Sequence, residues 1–265
     1  MYKSKLKDVE FIPIIIGIII LSFLNVIDVN LFLTGVNADL IKPSMQDITI
    51  YIIYGLNSFS RVTIMDILRF SIPFLLFIAY TGTYMSDVLE KGNFYINIIR
   101  YKSLNKWLII QVRKLVLSLT AFFMIYYLSI IIISTLYTNN LIGLTNNFYS
   151  INPHLVTKDF YSLLMYQYLL SIGAGISLIL VQLFTSLKNK NINSGFTLGA
   201  TIILLLSALG KYNIINPIMM SKHNKINYNL TMDPIITISF YIVFILIMYL
   251  LLVWFLKSLV RRNKL

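Results

Sequence analysis

Residues 115–136 run for 22 positions without a charged side chain. At about 1.5 Å per residue such a run reaches about 33 Å, enough to cross a hydrocarbon core of roughly 30 Å. Five other uncharged apolar stretches accompany it: 11–27, 70–86, 160–184, 194–210 and 234–256. Within lipid a chain must satisfy its own backbone hydrogen bonds, which restricts it to helices or a closed barrel. Unbroken apolar runs, rather than strict alternation, select helices. The expectation is an all-α integral membrane protein with six transmembrane helices, over residues 11–27, 68–86, 115–136, 160–184, 194–210 and 234–256. Only 12% of the residues are charged, against about 25% in soluble domains. No low-complexity linker or long polar segment interrupts residues 1–265, which read as one transmembrane unit.

The connections carry the detail. The first run resembles a signal peptide, but the flank after Ile27 lacks a small-residue cleavage site. It reads as an uncleaved span whose helix extends past Asp28. Residues 28–66 form the longest connection, and 48–56 within it are apolar but too short to cross. They read as an ordered external loop packed on the bundle, with an interfacial helix or a strand as the other readings. Pro73 falls near the start of the second run and Pro234 opens the sixth, both tolerated helix-start positions.

Charge then orients the spans. Six spans put both termini on one side, and 15 of the 22 bases fall on that side. Cytoplasmic connections are the basic ones, so both termini are expected in the cytoplasm of a multi-pass protein in the cell membrane. The net charge of +12 has the same origin. The bases sit at the ends of apolar runs, so no nucleic-acid partner is implied.

Residues 86–114 stand out. They hold Asp87, Glu90, Lys91, Arg100, Lys102, Lys106, Arg113 and Lys114, with Phe94, Tyr95, Ile98, Ile99, Leu104, Trp107 and Leu108 between them. This spacing predicts an amphipathic cytoplasmic helix between spans two and three, lying on a membrane surface or seated in a soluble partner.

Several chemistries lack their residues. No cysteine is present, so disulfides and thiolate ligands are excluded. No phosphate-binding loop, zinc-binding helix or nucleophile elbow appears. The two histidines, His154 and His223, fall in external loops. No charged residue lies at mid-depth in the six runs, unlike a proton- or sodium-coupled carrier. The pair Asp87 and Glu90 is the one candidate for lipid-directed acid–base catalysis, and reads more simply as a solvated helix start. Gly195 and Gly199 place small residues on one face of the fifth run, and Gly173, Ala174, Gly175 and Ser177 do so in the fourth. Small faces allow close helix approach, within one chain or across a dimer.

Six spans, cytoplasmic termini, no ATP site and one long basic connection together resemble the permease subunit of the type-two ABC exporters. The matching residues are Glu90, Gly92, Arg100, Ser103, Lys106, Trp107 and Lys114, with 216–221 similar to the turn before the family's last span. The resemblance implies a non-catalytic subunit whose segment 87–114 acts as the coupling helix, with Glu90, Gly92, Arg100, Ser103, Lys106 and Trp107 at the ATPase contact. It further implies an ABC ATPase dimer carrying ATP and Mg, no cofactor in this chain, and a second permease chain, the same or related. Gly195 and Gly199 would then lie near the dimer axis. The cargo implied is an amphipathic peptide, a drug or a lipid. The short amino-terminal segment and the long first external segment depart from the family pattern. An ATPase-independent immunity or sensor protein, binding a peptide or a membrane partner, is the alternative.

Overall fold

The computed structural model describes residues 5–36, 43–54, 64–89, 101, 103–138, 160–189, 191–208 and 234–262. Among these residues there is no strand. Seven helices follow in order: α1 (Lys5–Val36), α2 (Met45–Tyr54), α3 (Ile64–Leu89), α4 (Leu104–Tyr137), α5 (Phe160–Asn189), α6 (Ile192–Ala208) and α7 (Pro234–Arg262).

Four stretches are long and apolar enough to cross a membrane: Ile12–Leu31, Leu104–Tyr137, Phe160–Asn189 and Ile238–Ser258. They coincide with the first, third, fourth and sixth expected spans. The protein is therefore a helical membrane-embedded bundle by length and composition. The expected second span is helical within α3 and residues 194–208 of the fifth within α6, while 209–210 lie outside the described residues. The 17 residues of α6 make it short for a crossing, at about 26 Å. The first helix does continue past Asp28, to Val36.

Two local expectations change. Pro73 is not at a helix start, because α3 begins at Ile64 and holds the proline inside it. Interior proline is tolerated in membrane helices, where neighbouring helices and side chains absorb the freed backbone groups. Residues 48–54 are not loop or strand but most of α2. A capping box starts this helix: the Ser44 amide donates to Asp47 Oδ2 at 2.8 Å, and the Asp47 amide donates to Ser44 Oγ at 3.1 Å. The box satisfies two backbone donors with a side chain three residues on, which lets a ten-residue helix begin cleanly within the bundle. Asp47, Ile48, Thr49, Ile50, Ile52 and Ile53 are all buried, and α2 packs on α1, α4 and α5.

The centre of the bundle is α5, which packs against α2, α3, α4, α6 and α7. In its apolar span 67% of the residues are buried, against 11% for α7. Lipid is as apolar as leucine, so helices in a membrane gain little by hiding apolar surface from it. They associate through close packing and polar pairs. Glycines of α5 and α6 supply the first. A Cβ on Gly175 would come within 2.5 Å of Leu119 in α4, and one on Gly173 within 3.0 Å of the Tyr241 ring in α7. A Cβ on Gly195 would collide with Ser186 Oγ and meet the Gln182 carbonyl oxygen at 2.5 Å. Gly199 faces Ile78 of α3, at 3.2 Å from its virtual Cβ. Gly195 and Gly199 therefore serve packing inside the chain. Aromatic side chains join α3 to α4, with Phe74 and Phe77 5.2 Å from Phe123 and Phe122 respectively, by ring centroid.

The glycines give a direct test. Gly195→Ala is expected to destabilise the bundle by about 1–3 kcal/mol, because its new methyl meets backbone that cannot rotate away. Gly17→Ala meets nothing within 4 Å and is expected to be neutral or slightly stabilising. Denaturant titration of the two purified variants, followed by circular dichroism, separates them; equal midpoints would contradict the packing account.

Candidate functional site

The expected coupling stretch divides between elements. Its first four residues continue α3 to Leu89, and its last eleven, 104–114, open α4. Glu90, Gly92 and Arg100 lie outside the described residues, as do 91–99. Ser103 is the N-cap of α4, with extended backbone at φ −159° and ψ 126°. Its carbonyl accepts the amide of Trp107 at 3.1 Å. The third expected span is thus the distal part of a longer helix. The 34 residues of α4 reach about 51 Å, against roughly 30 Å of hydrocarbon.

The first turns of α4 have two faces. Lys106, Ile109, Arg113 and Lys114 are exposed, whereas Trp107, Leu108 and Gln111 are buried. Trp107 is fully buried within the main core cluster, so it anchors the helix and does not offer its ring to solvent. One turn on, Gln111 accepts a hydrogen bond from Tyr84 of α3 at 2.6 Å. This pair ties the start of α4 to the end of α3, at the two edges of the connection.

Contacts fix which helix ends share a side. Tyr84 meets Gln111, while Phe74 meets Phe123, so α3 and α4 run antiparallel. Tyr127 meets Ser171 and Leu119 meets Gly175, so α4 and α5 are antiparallel too. Gly173 meets Tyr241 and Phe184 meets Phe255, so α5 and α7 are parallel. The start of α4 and the ends of α3, α5 and α7 therefore gather on one side. Lys106, Arg113 and Lys114 of α4, Lys188 of α5 and Lys257 of α7 are exposed there. No acidic residue occurs in α4, α5, α6 or α7. Apart from Asp87 in the last turn of α3, the charged residues named at this end are bases, which suits an acidic protein surface or anionic lipid.

Beneath that end lies a polar clamp that apolar periodicity does not reveal. Gln182 of α5 is fully buried. Its Oε1 accepts from Thr81 Oγ1 at 2.6 Å, and its Nε2 donates to the Ile78 carbonyl at 3.2 Å. Gly195 and Ser186 sit against the same turn. The clamp joins α3 and α5 where α6 packs on both. Its sequence signal is a glutamine inside an otherwise apolar run; Gln167 and Gln182 are the two in residues 160–184. Among the described residues no three His, Asp or Glu side chains come together as a metal site.

The chain matches no family model, no curated protein and no solved structure.

The clamp makes a prediction. Thr81→Val leaves the Gln182 oxygen without its hydroxyl partner and is expected to cost about 1–2 kcal/mol. Adding Gln182→Leu removes the stranded amide, and the double variant is expected to recover part of that loss. A double-mutant cycle on unfolding midpoints reads the coupling; strictly additive losses would show that the pair does not act together.

Proposed function

We propose that this chain is the membrane permease subunit of an ATP-driven ABC exporter, with six spans, cytoplasmic termini and a separate ATPase. The observation that carries the reading is the group of exposed bases, Lys106, Arg113, Lys114, Lys188 and Lys257, at one end of the bundle. At that end buried Trp107 and the Tyr84–Gln111 pair fix the start of α4 and the end of α3. A coupling element must transmit force, so its ends must be fixed to the helices that move. The chain itself carries no phosphate-binding loop, so ATP hydrolysis falls to the partner. The basic end also meets the requirement for steering an acidic partner, since complementary charge raises association rates.

In this reading Arg100, Ser103 and Lys106 contact the ATPase, together with Glu90 and Gly92. Trp107 has a different part from the one implied by the family resemblance: it holds the start of α4 in register rather than touching the partner. A second permease chain, the same or related, completes the path. Cargo is an amphipathic peptide, a drug or a lipid.

The test is reversal of charge. Arg100→Glu, Ser103→Glu and Lys106→Glu together are expected to reduce recovery of a co-expressed ATPase in mild detergent at least tenfold, with the helical signal unchanged. Salt is expected to weaken the parent complex over about 0.05–0.5 M, as screening shortens the range of surface charge. Recovery of no ATPase with the parent chain would support the ATPase-independent immunity or sensor reading instead. Normal recovery with the triple variant would remove the coupling assignment. Trp107→Ala is expected to lower stability by about 3–5 kcal/mol, unlike the surface changes.

A further inference from the structure

We propose that α2, α4 and α5 enclose a binding site for a peptide bond flanked by apolar side chains, and that α2 is the wall that moves to admit it. As an account of cargo this rests on the permease reading; as a binding site it does not.

One face of α5 carries Phe160, Leu164, Gln167 and Ser171, at spacings of four, three and four that bring them to one side of a helix. Ile50 of α2 packs with Phe160 and Leu164. The hydroxyl of Ser171 lies 2.8 Å from that of Tyr127 in α4. Gln167 stands between these two contacts, where α2 gives way to α4. It is 2% exposed, and neither its Oε1 nor its Nε2 has a hydrogen-bond partner among the described residues.

Three more buried hydroxyls share this condition among the described residues, those of Thr49, Ser134 and Tyr241, and the first two belong to α2 and α4. Thr49 precedes Ile50 in α2, and Ser134 lies two turns beyond Tyr127 on α4. Both are 0% exposed. Because α4 and α5 are antiparallel, Ser134 and Gln167 lie on the same side of the Tyr127–Ser171 contact, toward α2. Three helices that all pack on one another thus each carry a buried, unmatched and uncharged polar group.

The chemistry of the set narrows the ligand. Gln167 presents one acceptor and two donors, and each hydroxyl presents both functions. A secondary amide is their complement, with one donor and one acceptor. None of the three is charged, and the buried carboxylate of α2, Asp47, accepts the Ser44 amide in the capping box. The walls are Ile50, Phe160 and Leu164, which suit apolar flanks on either side of the amide. Buried groups of this kind are normally paired, and a cluster without partners calls for an explanation beyond packing. Among the described helices α2 is the shortest, at 10 residues.

The full chain in dodecyl maltoside allows a direct measurement, with N-acetyl-leucyl-leucine methylamide as the probe. The probe is expected to raise the unfolding midpoint by about 3 °C, whereas its fully N-methylated counterpart, which donates no amide hydrogen, gives no shift. Gln167→Leu is expected to abolish the shift and to unfold no lower than the parent, because replacing an unmatched amide by an apolar group of similar size costs little. Thr49→Val provides the same reading at a second position. The chain has no native cysteine, so Ile50→Cys with Leu164→Cys can be bridged by bis-maleimidoethane alone. Bridging is expected to remove the shift and the unbridged pair to keep it. No shift in the parent, or a shift retained in both Gln167→Leu and Thr49→Val, overturns the site; a shift unaffected by bridging overturns the moving wall. None of these outcomes depends on an ATPase, so failure of ATPase recovery would remove the permease reading and leave this result intact.

Discussion

Close approach to α5 is the constraint on which the bundle depends. In a solvent as apolar as its side chains, a helix must be gripped by shape or by hydrogen bonds. Gly173 and Gly175 let Tyr241 and Leu119 reach the α5 backbone, so α7 and α4 are seated by residues with no side chain. On the opposite stretch, Gln182 reaches out to Thr81 and to the Ile78 carbonyl, while Gly195 lets α6 close over Gln182 and Ser186. Four helices are thus held to one post by absence of bulk on one side and by an amide on another. The peripheral α7 shows the converse: it turns Ile242, Leu246, Leu250 and Trp254 outward, which only lipid or another apolar surface can cover.

Much of this was legible in the order of residues. Uncharged runs located the long helices, because a stretch of 22 or more apolar residues has few other fates. Pro234 marked the start of α7 for the reason that its missing amide is spare there. Small residues at Gly195 and Gly199 announced close packing, although only the three-dimensional arrangement assigns their partners to α5 and α3 within the chain. The legible parts share one property: each is dictated by a local rule about backbone or lipid.

What was not legible depends on neighbours. The α2 segment looks apolar but too short to cross, and reads as loop as readily as helix. It becomes an interior helix because Ser44 and Asp47 satisfy each other's amides and three other helices cover it. The charges of residues 106–114 suggested a break before the third span, yet α4 passes through them unbroken. Lys106, Arg113 and Lys114 are on its outer face, and Trp107, Leu108 and Gln111 are on its inner one. A membrane boundary does not end a helix; it changes only which side chains its outer face can carry. The candidate coupling residues divide accordingly, with Ser103 and Lys106 at the surface or cap and Trp107 inside.

The length of α4 has a mechanical meaning of its own. Between Leu104 and Tyr137 it contains neither glycine nor proline, the residues at which helices bend most readily. Its basic end and its far end, beside α2, therefore belong to one stiff rod. Such a rod has no internal joint in which to absorb a push, so a small tilt imposed at one end arrives at the other multiplied by the full lever arm. Whatever engages Lys106 and Arg113 is mechanically in touch with the opposite end of the bundle, without any intermediate part having to change shape.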